Sequence, residues 1–173
     1  MKGLLIAALI TVLAMPTQAG ILYVNSPEGL CVRSIPGTSG DVLQILPYGQ
    51  KVAVMNRIGN WYRVEGDGYI CAEFTQETDP LEDMQYMGEW RITAYTATGY
   101  PCANGNFPTA GYTVACNSLP FGTEVYIDGV GFRTVEDRGP SYLGNAWIDV
   151  YMSNVVDCIN WGDQQRKVWI KHE

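Results

Sequence analysis

The sequence predicts an all-β protein, mainly β with one short helix, built as two small β units in series. Three observations carry that expectation. Apolar and β-branched residues alternate with polar ones in many short runs, the period of a half-buried strand. Gly and Pro, 19 and 9 of 173 residues, punctuate the chain between those runs. Only one stretch, near the C-terminus, carries a helix start and a helix stop in the right order.

Residues 1–19 read as a secretory signal peptide: Lys2 is the basic start, Gly3 to Met15 the apolar run, and Thr17-Gln18-Ala19 a small-residue cleavage site. The run is too short for a transmembrane helix of about 20 residues. The mature chain is expected to begin at Gly20, to be secreted and extracellular or cell-wall associated, and to have no membrane partner after cleavage. A net charge of −7, one unit more negative once Lys2 leaves, repels nucleic acid and anionic lipid, so neither is an expected partner. A monomer is expected.

All five cysteines lie beyond residue 19, where an oxidising compartment permits disulfides. Their positions suggest Cys31 with Cys71 and Cys102 with Cys116, with a Cys116–Cys158 bridge as the competing arrangement. Cys158 falls with Val155 and Ile159 at i, i+3, i+4 spacing, which reads as a buried helix face.

The first unit, residues 22–75, has strand-like runs at Cys31–Arg33, Val42–Leu46, Lys51–Met55, Trp61–Glu65 and Tyr69–Cys71. Turn signals at Pro36-Gly37, Pro47-Tyr48-Gly49, Gly59-Asn60 and Gly66-Asp67-Gly68 separate them, the pattern of a small β-barrel. Tyr23, Tyr48, Trp61 and Tyr69 are the aromatics available to stack on sugar or peptide, with Trp61 read as core. Residues 76–87 read as an acidic linker, with Glu77, Asp79, Glu82 and Asp83 repelling one another into an extended segment.

The second unit, residues 88–171, opens with the alternating run Glu89–Ala97. A Gly/Pro/Asn-rich loop, Thr98 to Gly111, follows, of a length that is commonly functional. Strands are expected at Tyr112–Cys116, Thr123–Ile127, Gly131–Val135, Ala146–Met152 and Arg166–Ile170, with Asp128-Gly129 as the hairpin turn between Thr123–Ile127 and Gly131–Val135. Ser153 is the expected N-cap and Gly162 the stop of a helix over Asn154–Trp161. Asp149 stands between Trp147 and Tyr151 on one strand face, and aspartate is depleted in strands. Asp137 opens the Gly139-Pro140 turn. Two acids therefore bracket one loop.

Two resemblances follow from these residues. Leu30-Cys31-Val32-Arg33-Ser34-x-Pro36-Gly37-Thr38, Leu46-Pro47-x-Gly49, Trp61-Tyr62-Arg63-Val64 and Gly68-Tyr69-Ile70 resemble the bacterial SH3 domain. In secreted proteins that family implies a wall-binding module. Val135-Glu136-Asp137-Arg138-Gly139-Pro140, Leu143-Gly144-Asn145-Ala146-Trp147-Ile148-Asp149-Val150-Tyr151 and Leu119-Pro120-Phe121-Gly122-Thr123 resemble the three-aspartate domain related to membrane-bound lytic transglycosylases. That resemblance implies a six-stranded double-psi β-barrel, with the aspartates of the family in one groove. Asn117 stands where the family's first aspartate falls, so only Asp137 and Asp149 carry over.

The chemistry available to the chain is narrow. His172 is its single histidine, so neither a zinc ligand cluster nor a Cys/His dyad can be assembled convincingly, and no metal or cofactor is expected. Carboxylates remain, and they suit glycosidic bonds. The resemblance implies that Asp149 acts as acid and then base while Asp137 stays ionised. Asn117, Tyr95, Thr96, Thr109, Trp147 and Tyr151 are the candidate substrate contacts. The expected function is a peptidoglycan-cleaving lytic transglycosylase acting on glycan strands. The alternatives are a wall-binding or wall-loosening protein without turnover and a two-carboxylate hydrolase.

Overall fold

The computed structural model describes residues 20–171; the expected signal peptide lies outside them. The first half forms β1 (Gly20–Val24), β2 (Leu30–Arg33), β3 (Val42–Leu46), β4 (Lys51–Ile58), β5 (Trp61–Val64), β6 (Tyr69–Cys71) and β7 (Thr75–Gln76). They make one seven-stranded sheet in the order β3-β2-β6-β5-β4-β1-β7. Each expected run is a strand. The sheet covers a single core of Val24, Leu30, Val32, Leu46, Val52, Val54, Val64 and Ile70. On β5 the alternation turns Tyr62 and Val64 toward that core, so Trp61, read from sequence as core, is only half-buried.

The stretch read as a linker is not an extended tether. Asp79 Oδ1 accepts from the Leu81 amide at 2.9 Å, and the Met84 amide donates to Leu81 O at 3.0 Å, which folds the segment into a turn. Leu81 then packs on Gly49, where a Cβ would lie 2.7 Å from Leu81 Cδ1. Strand β8 (Met84–Tyr95) begins inside the same stretch. Its first residues pair with the end of the chain, Met84 with Lys171 and Tyr86 with Trp169, and the register shifts where Gly88 opposes Val168.

The second half continues with β9 (Thr113–Ala115), β10 (Glu124–Ile127), β11 (Gly131–Asp137), β12 (Trp147–Tyr151), α1 (Val155–Trp161) and β13 (Gln164–Lys171). Six strands close into a barrel in the order β10-β11-β9-β12-β8-β13. The pairs β12/β8 and β11/β9 are parallel and the other four antiparallel. Trp90, Ile92, Val114, Val125, Ile127, Val135, Ile148, Val150 and Val168 fill the interior.

Three local expectations need correction. Asn154, not Ser153, caps α1: its side chain accepts from the Asp157 amide. Gly162, at φ 66°, ends the helix as expected. Val155 and Ile159 are exposed and Cys158 half-buried; the helix docks through Trp161, whose indole N–H donates to Ile92 O. All five cysteines are free thiols in the structure, so neither expected disulfide is formed. Cys102 lies beside Tyr95 and Asp137, and Cys116, whose amide donates to Asp137 O at 3.1 Å, has its Sγ 3.5 Å from Ser118 Oγ. Cys71 Sγ accepts from Asn60 Nδ2 at 3.6 Å.

Candidate functional site

The site is organised by β8, β12 and β9. In the parallel ladder between β8 and β12, Arg91 opposes Trp147, Thr93 opposes Asp149, and Tyr95 opposes Tyr151. The intervening Ile92, Ile148 and Val150 point into the barrel, so these three rows share the opposite face. Asp137 reaches that face because of a register irregularity in β11 between Val135 and Asp137. Val135 is fully buried in the core. The extra residue then lets both Glu136 and Asp137 turn away from it, as a bulge does.

Each aspartate receives its hydrogen bonds from a different source. Thr93 Oγ1 donates to Asp149 Oδ1 at 2.7 Å and accepts from the Trp147 indole N–H at 2.9 Å. The Tyr95 hydroxyl donates to Asp137 Oδ2 at 3.2 Å. Asp137 Oδ1 accepts from the amides of Ala103 and Arg138, both at 2.8 Å. Burial lifts the Asp149 carboxyl above its ordinary value; the Thr93 hydrogen bond opposes the rise, negative Asp137 adds to it, and Arg91 subtracts. Burial, reinforced by Asp137, also raises the Tyr95 phenol, which therefore remains a protonated donor.

Of the other expected contacts, Tyr151 stands edge-on to Tyr95 with ring centroids 5.4 Å apart, and both are half-buried. Trp147 is 1% exposed, covered by Gly139, where a Cβ would meet the indole Cη2 at 2.2 Å. Its role in this geometry is to orient Thr93, not to face a ligand. Asn117 is equally committed. Its Oδ1 accepts from the Gly139 amide, and its Nδ2 donates to the carbonyls of Gly139 and Pro140. An aspartate there would keep the first bond and lose both others, since an ionised carboxylate only accepts. Thr109 anchors a turn, its amide donating to Thr113 Oγ1 at 2.9 Å. Thr96 follows β8, half-buried, without a hydrogen bond to either aspartate.

Sequence reasoning missed Thr93, Arg91 and Glu136. Thr93 was legible in principle, two residues before Tyr95 on the same strand face. Glu136 is 8% exposed and accepts from Thr113 Oγ1 at 2.6 Å, Asn106 Nδ2 at 3.1 Å and Asn104 Nδ2 at 3.3 Å. Burial alone would raise this carboxyl, but the three donors outweigh it and hold it below its ordinary value. The bonds tie the Cys102–Asn106 segment to β11 and so place the Ala103 amide on Asp137. Among the described residues no cluster of His, Cys, Asp and Glu could hold a metal ion, and no helix is long and apolar enough to cross a membrane.

Comparison with protein families locates one match, inside the first unit. The family model of the bacterial SH3 domain matches residues 28–74, which bears out the resemblance read from the Gly/Pro turns and short strands. A relative of this chain is the cell wall-binding protein YocH of Bacillus subtilis (strain 168), 38% identical over 71 residues. The shared stretch is 41% of this chain and only 24% of that protein.

Proposed function

We propose that this protein binds the peptidoglycan of a bacterial cell wall from the extracellular side, with its SH3-type sheet as the anchoring unit. The observation that carries this is the match of residues 28–74 to the bacterial SH3 domain, supported by similarity to a protein named for wall binding. The test is co-sedimentation of the chain from Gly20 onward with purified peptidoglycan. Retention in the pellet is expected, and a protein that stays in the supernatant overturns the reading.

A second reading, glycan-strand cleavage of the lytic transglycosylase type, is favoured by one specific observation: a carboxyl lifted by burial, Asp149, lies within the field of a second acid, Asp137. In this reading protonated Asp149 gives its proton to the glycosidic oxygen as the bond to the anomeric carbon of muramic acid breaks. Asp137, held by two amides and the Tyr95 hydroxyl, offsets the positive charge developing on the sugar. The C6 hydroxyl of the same sugar then attacks the anomeric carbon and passes its proton to the Asp149 carboxylate. A 1,6-anhydro ring results, and the acid is regenerated. Mass spectrometry of soluble products, beside an Asp149→Asn variant, separates the outcomes. Anhydro ends that vanish in the variant support this reading, reducing ends indicate a two-carboxylate hydrolase, and no release leaves a wall-binding protein without turnover.

A further inference from the structure

The N-terminal sheet is least continuous where β2 meets β6. Those strands share one register pair, Arg33 with Tyr69, whereas every other neighbouring pair of strands in that sheet shares at least two. The joint is the meeting line of two parts of the sheet. On one side β2 pairs with β3, and on the other β6, β5 and β4 form an antiparallel meander.

Two cysteines flank this joint. Continued two residues along both antiparallel strands, the Arg33–Tyr69 register sets Cys31 opposite Cys71. Residues opposed in this way project to the same side of the ladder with Cα atoms about 4.5–5.5 Å apart, inside the span of about 4.4–6.8 Å that a disulfide bridges. Ile45 on β3 faces Cys31, and Trp61 on β5 faces Cys71, which completes one cross-strand row. Cys31 and Cys71 are both half-buried and so keep contact with solvent. The other three thiols are placed differently. Cys116 is fully buried in the barrel core, Cys102 lies buried in a loop beside Asp137, and Cys158 lies on α1 with its Sγ 3.4 Å from Asn154 O.

We infer that Cys31 and Cys71 are a modification site: a dithiol that a disulfide-bearing oxidant converts into a cross-strand disulfide, clasping the β2–β3 hairpin to the meander. The thiols of the structure are its reduced state. One cysteine, as thiolate, attacks a sulfur of the oxidant, forming a mixed disulfide and releasing the first thiol. The second cysteine attacks the protein sulfur of that mixed disulfide, and the second thiol leaves. The two protein S–H protons end on the two released thiols, and the two electrons lost by the protein reduce the oxidant. Sequence spacing places Cys102 with Cys116 on equal terms with this pair. The structure separates them, because only Cys31 and Cys71 combine an opposed register with access to a dissolved oxidant. The inference does not depend on wall binding.

Incubation of the reduced chain, from Gly20 onward, with glutathione disulfide, followed by unfolding, alkylation, tryptic digestion and mass spectrometry, tests this. The expected product joins residues 20–33 to residues 64–91, the tryptic peptides that carry Cys31 and Cys71, with Cys102, Cys116 and Cys158 alkylated. A dithiol reductant should reverse it. In the oxidised protein, amide exchange in β2 is expected to slow by roughly tenfold or more, because the crosslink keeps that strand on β6 when the sheet opens locally. Exchange in α1 should not change. Cys31→Ser and Cys71→Ser are each expected to stop at a glutathione adduct on the cysteine that remains. In the parent, an adduct that persists without a crosslink overturns the inference, as do a crosslink to any other cysteine and the absence of any reaction. A crosslink that leaves exchange in β2 unchanged overturns the clasp. The decisive comparison is between two redox states of the parent, so a serine variant that misfolds does not affect it.

Discussion

Asp137 and Asp149 share one register partner: Ala115 on β9 faces Asp137 across a parallel ladder and Asp149 across an antiparallel one. With strands about 4.8 Å apart, the two backbones lie about 10 Å from each other. Strand β8 then supplies a hydroxyl to each acid, Thr93 to Asp149 and Tyr95 to Asp137. The acids are set by four strands of a closed barrel, β8, β9, β11 and β12, with the Ala103 and Arg138 amides contributed from outside the strands.

Removing the Thr93 hydroxyl should move Asp149 further in the direction it already leans. The hydrogen bond stabilises the carboxylate, so Thr93→Val is expected to raise the Asp149 pKa above that of the parent. Carboxyl-carbon NMR titration reads this directly; an unchanged or lower midpoint contradicts the assigned bond.

The raised Asp149 pKa also makes stability depend on pH. The folded state holds this proton more tightly than the unfolded one, so stability falls as pH rises from the ordinary carboxylate pKa through the folded value. Above that window the penalty is constant. Asp149→Asn removes it, so the variant is expected to melt higher than the parent at pH 7, with the gap closing at acidic pH. Paired thermal melts across that range check the sign.

Gly139→Ala tests the cover over Trp147. The added methyl has no room against the indole, and overpacking of this kind costs about 1–3 kcal/mol. Urea denaturation reads the loss, and the Trp147 indole N–H resonance should shift as its bond to Thr93 is disturbed.

Glu136→Ala leaves the Thr113 hydroxyl and two amide side chains without their shared acceptor. A cost of about 1–3 kcal/mol is expected for the buried donor that remains. Hydrogen exchange at the Ala103 amide should quicken more than at the core strand β9. Equal protection there would show that the loop is held by something else.

Much of the fold was legible because its signals are local. Alternation marked the strands, Gly and Pro marked the turns, and the matched SH3-type segment is the part with the densest punctuation. The errors fall where distant residues decide. Strand β8 starts at Met84 because Lys171 and Trp169 arrive from the far end of the chain to pair with it, and the shift at Gly88 breaks the alternation that would have announced it. Trp147 sits on the expected face yet is buried, because Gly139 has no side chain to hold the turn away. Glu136 and Asp137 are adjacent in sequence and share a side only through a bulge, which no strict period of two reveals. Asn117 reads as a substitute for a catalytic acid, and its amide is wholly occupied with the Gly139-Pro140 turn.

The strand that holds both hydroxyl donors is also the first one after the N-terminal sheet. From the Leu81 turn seated on Gly49, the chain passes straight into β8 and reaches Thr93 and Tyr95 without leaving the ladder. At about 3.3 Å per residue this is a strut of roughly 40 Å. It fixes the spacing of the two units: under the proposed wall-binding function, a polymer held by the N-terminal sheet would meet the aspartates at a set distance and angle, and lengthening the Leu81 turn would change which repeat is presented.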